Sequence, residues 1–365
     1  MIGAKLWKQA TSAKQSEKGV ENNRRQVRDK FPVFVVGCHR SGTNLLYDML
    51  LSAGGFAVYR GLLPVYEKLI PHFGNLEKLE TRTKAVELFL RSEGFRRSGL
   101  NREEVTAKIL SACRTGGDFL RIVMDEVARA QGTNRWAVYN PDNVLRIATI
   151  KREIPDALFV HMIRDGRDIA LSLSKMGGFT PLPWDRWSRA LPATALYWEW
   201  MVRRGQRAGR NLGADYVEVH YEQLVAEREA TLQRLSEFLD HDLDPERIHK
   251  AGLGRLTESN SSFRDGRGKI EGSPVNRWKE KLSPEEVAGL EALVSECLLE
   301  LGYALTTPES ERRPGLRERW MRITYSSALD TKLWLKTNTP VGRLASLSQL
   351  ELSDSVPAQE STQVP

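Results

Sequence analysis

The chain has 365 residues, 41% of them hydrophobic and 28% charged, with a net charge of +7. That length can bury one large core with tails. No run nears the ~18 apolar residues of a membrane span and the opening residues hold no apolar signal core, so a soluble, cytoplasmic protein is expected. Three scattered cysteines, Cys38, Cys113 and Cys297, argue against a disulfide framework, and no dense Lys/Arg block interleaves with aromatics as in a nucleic-acid groove.

Residues 1–30 are polar and read as a mobile arm. Val33 to Val36 is a short apolar run closed by Gly37, the pattern of a buried strand in a parallel sheet. A helix follows over 43–51, with Leu45, Leu46, Met49 and Leu50 on one side and Gly54 and Gly55 ending it. Between strand and helix stands GCHRSGT, whose two glycines let backbone N–H groups converge while the helix N-terminus adds positive charge. That geometry suits an anion. A nucleoside-triphosphate loop places Lys directly after its second Gly, and here Thr43 and Asn44 follow Gly42 instead. The strong cation is Arg40, whose planar fork suits phosphate or sulfate with no metal between.

A short strand over 56–59 is expected next, then helices over 64–73, 81–90, 101–113 and 118–130. The block 59–132 thus reads as a helical insertion over the sheet. The alternation resumes with a strand at 136–139, a helix at 142–153, a strand at 158–163 and a helix at 164–175. After a Pro- and Trp-containing loop at 181–187 come a long helix over 190–209, a strand at 216–219 and a helix over 227–239. Strand, crossover helix and strand in turn argue for an α/β fold, a P-loop-like parallel sheet flanked by helices, with its ligand at the carboxyl ends of the strands. Residues 258–276 form a long Gly/Ser/Arg-rich loop. Ser283-Pro284-Glu285-Glu286 is a strong helix start, and Gly302 a stop. Residues 306–365 are expected to be peripheral, an amphipathic helix over 316–335 and a disordered end, leaving 31–305 as the main domain.

Three further segments bear on chemistry. In HMIRDGRDIALSL, residues 161–173, Arg164 leaves the buried strand and Ser172 follows about two helical turns on, so both face one cleft. Asp165 and Asp168 read as caps and ion-pair partners of that helix start. VEVHYEQLV, residues 217–225, sets Tyr221 just past a strand. The late loop carries Arg264, Arg267 and Lys269 ahead of NRWKEKLS.

Taken in this order over residues 32–303, these motifs resemble the sulfotransferases that use PAPS (3′-phosphoadenosine 5′-phosphosulfate). Arg in the first motif is more similar to the tyrosylprotein and bacterial branch than to the Lys-containing carbohydrate one. The resemblance implies that PAPS is the co-substrate, without a metal, and that Arg40, Ser41, Gly42, Thr43 and Asn44 hold its 5′-phosphosulfate. It further implies that Arg164 and Ser172 hold the 3′-phosphate, that Tyr221 lies near the adenine, and that Arg264 and Arg267 close over the cofactor. Arg40 would also serve the sulfuryl group. Two departures stand out. Relatives carry a Glu about twenty residues past the loop Arg, where this chain has Tyr59-Arg60-Gly61, making Glu67 the nearest candidate base and His72 the next. Relatives also often carry Lys before Thr-Pro or Asp-Pro, where this chain has Tyr139-Asn140-Pro141. The implied acceptor is a hydroxyl or amine on a carbohydrate, peptide tyrosine, lipid or small molecule. The 59–132 block and the 181–187 loop, with Trp184 and Trp187, are expected to border it. Two rival readings stay open at this point: a non-catalytic nucleotide-binding module on the same fold, and a P-loop nucleotide kinase in which Asp165 holds magnesium.

Overall fold

The structure, a computed structural model, describes residues 28–59, 63–176, 179, 181–182, 191–251, 274–310, 312 and 315–344. Its centre is a five-stranded parallel sheet in the order β2-β3-β1-β4-β5. The strands are β1 (Val33–Gly37), β2 (Phe56–Ala57), β3 (Arg135–Tyr139), β4 (Leu158–Ile163) and β5 (Tyr216–His220). Strand β1 lies in the middle, with Val33 opposite both Ala137 and Leu158, and its five residues are buried. A strand covered on both faces needs apolar side chains in both directions, which is why Val33 to Val36 reads as a continuous run.

The two faces carry different helices. Val33, Val35, Val160 and Met162 pack with α1 (Thr43–Ala53) and α9 (Arg228–Leu239), with α10 (Pro245–Ala251) beside them. Phe34, Val36, Phe159 and Ile163 pack with α4 (Gly116–Ala130), α6 (Gly166–Lys175) and α7 (Leu191–Gly209). The insertion between β2 and β3 contains α2 (Leu79–Arg91), the short helix Glu93–Ser98, α3 (Arg102–Ala112) and α4. Asn101 caps α3 by accepting from the N–H groups of Glu103 and Glu104, and Thr115 and Asp118 form a reciprocal capping box on α4.

Several boundaries differ from the sequence reading. Residues 64–73 begin as a π-helical turn, Val65–Leu69, before the α-turn Ile70–Phe73. Residues 142–153 split into a 3-10 turn, Pro141–Arg146, and α5 (Ile147–Glu153), because Asn140 caps the first turn by accepting from the Asp142 N–H. An extra helix, α8 (Tyr221–Ala226), follows β5 directly. Helix α11 (Pro284–Glu300) starts at the Ser283 capping box read from the sequence.

The C-terminal helix α12 (Leu316–Asn338), expected at the periphery, lies across α7 and sets Tyr325 and Leu329 in the core. Asp330 accepts from Trp200 at 2.7 Å and pairs with Arg204, and Arg322 pairs with Glu199. Beyond it the turn Pro340–Leu344 seats Gly342 against the Pro71 carbonyl, so closely that a Cβ there would lie 2.7 Å from that oxygen. Among the described residues no helix is long and apolar enough to cross a membrane.

Candidate active site

The turn from β1 to α1 stands where central strands end. Arg40 has φ 72 and Gly42 φ 96, left-handed conformations that curl the backbone and turn N–H groups inward. Such a conformation costs a residue with a Cβ roughly 1–2 kcal/mol, so it is informative at Arg40. At Gly42 a Cβ would lie 2.4 Å from Cδ2 of Tyr221, which is why only glycine fits there.

Guanidinium groups gather over this turn. Arg164, at the end of β4, donates to the Arg40 carbonyl at 3.1 Å and to the Pro274 carbonyl at 2.6 Å, and stacks 4.5 Å from the Tyr221 ring centre. Arg40 Nε donates to Ser172 Oγ at 3.0 Å. Burial, then the positive charges of Arg164 and Arg277, push the Arg40 guanidinium below its ordinary value. Like charges held this close are stabilised by an anion among them. The Ser41 hydroxyl and Arg164 Nε are buried with no hydrogen-bond partner among the described residues, which gives such an anion a donor on each side of the turn. The side chains present therefore fit a phosphorylated, sulfated carrier.

Thus Arg40, Ser41, Gly42, Thr43, Asn44, Arg164, Ser172 and Tyr221 come together at one place, though the sequence spreads them over some 180 residues. Arg264, Arg267 and Lys269 lie outside the described residues, as do Trp184 and Trp187. Arg277, a few positions later in NRWKEKLS, is the buried arginine beside Arg40, where the sequence reading named Arg264, Arg267 and Lys269 instead. Asp165 caps α6 by accepting from the Arg167 N–H, as expected. Asp168 does more than pair within its helix: it accepts from the N–H groups of Asn276 at 2.9 Å and Trp278 at 3.0 Å, and so fastens the Arg277 segment over the turn.

Beside the arginines lies a cavity of about 300 Å³, lined by His39, Glu67, Asp142 and Lys336 among others. Glu67, the sequence candidate for a base, comes from the π-helical turn. It pairs with Lys68 at 3.5 Å and accepts from Asn140 Nδ2 at 3.5 Å. Burial and the neighbouring Asp142 raise its pKa. His72 sits against Phe73 and does not line this cavity. Two residues that the sequence reading missed face each other here: His39 Nε2 is 3.3 Å from Asp142 Oδ2. Burial works against both charged forms. The pair outweighs it, holding Asp142 down at about 2 and His39 above the usual histidine value. His39 offered a signal, being a titratable residue within the anion loop; Asp142 offered only its place after Asn140-Pro141.

Residues 32–245 match the profile of the sulfotransferase family, which is more than half of the chain. The chain belongs to that family. It is a PAPS-dependent sulfotransferase, an enzyme that moves a sulfuryl group, and the kinase and non-catalytic readings give way to this one. Solved structures similar to it include the sulfotransferase domain of a Synechococcus olefin synthase, 19% identical over 75% of this chain and 96% of that one, with a TM-score of 0.47. The sulfotransferase domain of the curacin biosynthetic pathway is 13% identical over 75% and 98%, TM-score 0.43. A Mycobacterium avium sulfotransferase is 16% identical over 76% and 78%, TM-score 0.41. A comparison with curated proteins finds no match.

Proposed function

We propose that the β1–α1 turn and the arginines around it bind PAPS, and that the cavity beside His39 presents a hydroxyl acceptor to it. Arg40, Ser41, Thr43, Asn44 and the turn N–H groups hold the 5′-phosphosulfate, and Arg40 lies against the sulfuryl oxygens. Arg164 and Ser172 hold the 3′-phosphate, with Tyr221 toward the adenine and Arg277 as a further cation. When bound, PAPS supplies the sulfuryl group and the leaving phosphate. This chain's residues align the two reactants, spread positive charge over the transferring oxygens and accept the acceptor's proton. Glu67, the sequence's candidate for that base, lines the same cavity as His39. The observation that carries this reading is the gathering of Arg40, Arg164 and Arg277 over a turn whose Ser41 hydroxyl and Arg164 Nε lack protein partners among the described residues.

Thermal unfolding with adenosine 3′,5′-bisphosphate tests it. At 100 times its dissociation constant a ligand stabilises by about 2.7 kcal/mol, a shift of a few degrees for a domain of this size. The bisphosphate is expected to raise the midpoint with EDTA present, and Arg164→Ala to abolish the rise. A rise seen only with ATP and magnesium would contradict the assignment.

A further inference from the structure

The cavity beside the turn has a composition of its own. Two carboxylates, Glu67 and Asp142, face four cationic side chains: Lys68, Arg146, Lys332 and Lys336. Its apolar lining includes Phe179, Tyr197 and Trp200 together with Leu329 and Leu333 of α12. Lys336 is half-buried beside Glu67 and Asp142; burial lowers its pKa and the two carboxylates offset part of that. Helix α12 is fixed in place by Asp330, Arg322 and the Gly342 turn, so Lys336 is a built part of the cavity. It also lies beyond the 32–245 span that matches the family. Asn140, which follows Tyr139 at the position of the relatives' lysine, is itself 3.5 Å from Glu67, and Lys336, from the far end of the chain, lies beside the same carboxylate.

We infer that this cavity takes an acceptor with a hydroxyl at one end, an apolar body and an anionic group, held by Lys336 and its cationic neighbours. His39, oriented by Asp142, removes the hydroxyl proton. The inference rests on the donor reading above and names the acceptor class for the same site. The excess of cations over carboxylates favours an anion, and the aromatic and leucine wall favours an apolar body. His39 suits the proton transfer better than Glu67. Glu67 is already engaged by Lys68 and Asn140, whereas the His39 tautomer that donates Nε2–H to Asp142 carries its lone pair on Nδ1. In the step, the acceptor oxygen bonds to sulfur as its proton passes to Nδ1. The bond from sulfur to the bridging oxygen breaks, and its electron pair leaves on the 5′-phosphate of adenosine 3′,5′-bisphosphate. The charged groups around His39 are Asp142, Glu67 and Arg40, with Lys336 reaching the two carboxylates from α12.

The test uses full-length protein saturated with adenosine 3′,5′-bisphosphate. It is titrated with hydroxy acids and their methyl esters, 3-(4-hydroxyphenyl)propionate and 12-hydroxydodecanoate being the parent pairs. At least one acid is expected to bind ten-fold or more tightly than its ester. Lys336→Met should erase that preference while leaving the bisphosphate-induced thermal shift intact, which also shows that the variant is folded. With PAPS and the bound acid, His39→Gln is expected to lower sulfate transfer at least 100-fold and Glu67→Gln less than ten-fold. Asp142→Asn should move the acidic limb of the pH–rate profile to lower pH, because the imidazole loses the carboxylate that favours its charged form. Equal binding of acids and esters, binding of neither, or a larger loss in Glu67→Gln than in His39→Gln overturns the inference. If wild-type protein shows no bisphosphate shift, it is the donor reading that has failed.

Discussion

At the scale of single residues, positions decided by close approach are the most exposed to test. Gly42 has positive φ, and a Cβ on it would press into the Tyr221 ring that stacks on Arg164. Gly42→Ala must therefore strain the backbone or displace that ring. We expect at least a ten-fold rise in the dissociation constant for adenosine 3′,5′-bisphosphate, measured by calorimetry, with the fold retained. Another such position is His161, wholly buried on β4 with Nδ1 at 2.5 Å from the Tyr216 hydroxyl. Burial, and secondarily His220, hold its pKa down to about 3. The unfolded chain takes up this proton below about 6.5 and the folded chain does not, so its contribution is complete above 6.5 and lost as pH falls toward 3. Urea unfolding should show about 2 kcal/mol less stability at pH 5 than at pH 7 from this group. His161→Gln should lack that component; an unchanged pH dependence would refute it.

At the scale of elements, most of the strands were legible because their chemistry is local. Val33 to Val36 is an apolar run of strand length and Leu158 to Ile163 is one interrupted only by His161, and both form central strands. The helix starts at Asn101 and Ser283 were legible for the same reason, since each cap satisfies N–H groups two or three residues away. The arginine side of the candidate site was readable too. Arg40 sits in a glycine turn, and Arg164 ends the strand whose following helix carries Ser172, so the local pattern put them near one cleft. The neighbouring cavity was not. His39, Glu67, Asp142 and Lys336 come from a loop, a π-helical turn, a 3-10 turn and the last long helix, and only tertiary packing brings them to one cavity. Nothing in a periodicity of 3.6 distinguishes Lys336 from a solvated lysine. The π-helical turn was also missed, because its pattern of buried Val65, Tyr66 and Leu69 equally suits an α-helix.

At the scale of the whole molecule, one buried ionic network ties together parts that are distant in sequence. Arg167, on the first turn of α6, pairs with Asp165 at 2.7 Å and with Glu291 of α11 at 2.6 Å, and stacks 3.8 Å from the Trp278 ring. Glu291, fully buried, also accepts from the N–H groups of Thr306 and Thr307. Removing one partner leaves buried charge and N–H groups unsatisfied, so Glu291→Ala should cost about 3–5 kcal/mol. A calorimetric midpoint several degrees lower is the expected result, and an unchanged midpoint would count against the network as a tie. The two halves of the proposed site are anchored differently. The carrier's grip is built mainly from the sheet ends and their first turns, within the stretch common to the family, with Arg277 added from beyond it, while the proposed acceptor cavity borrows a wall from α12, also outside that stretch. Drift in the last helix can therefore retarget the enzyme to new hydroxyl compounds while its hold on the sulfate carrier is preserved. Close relatives that modify different molecules should then diverge most along this C-terminal wall.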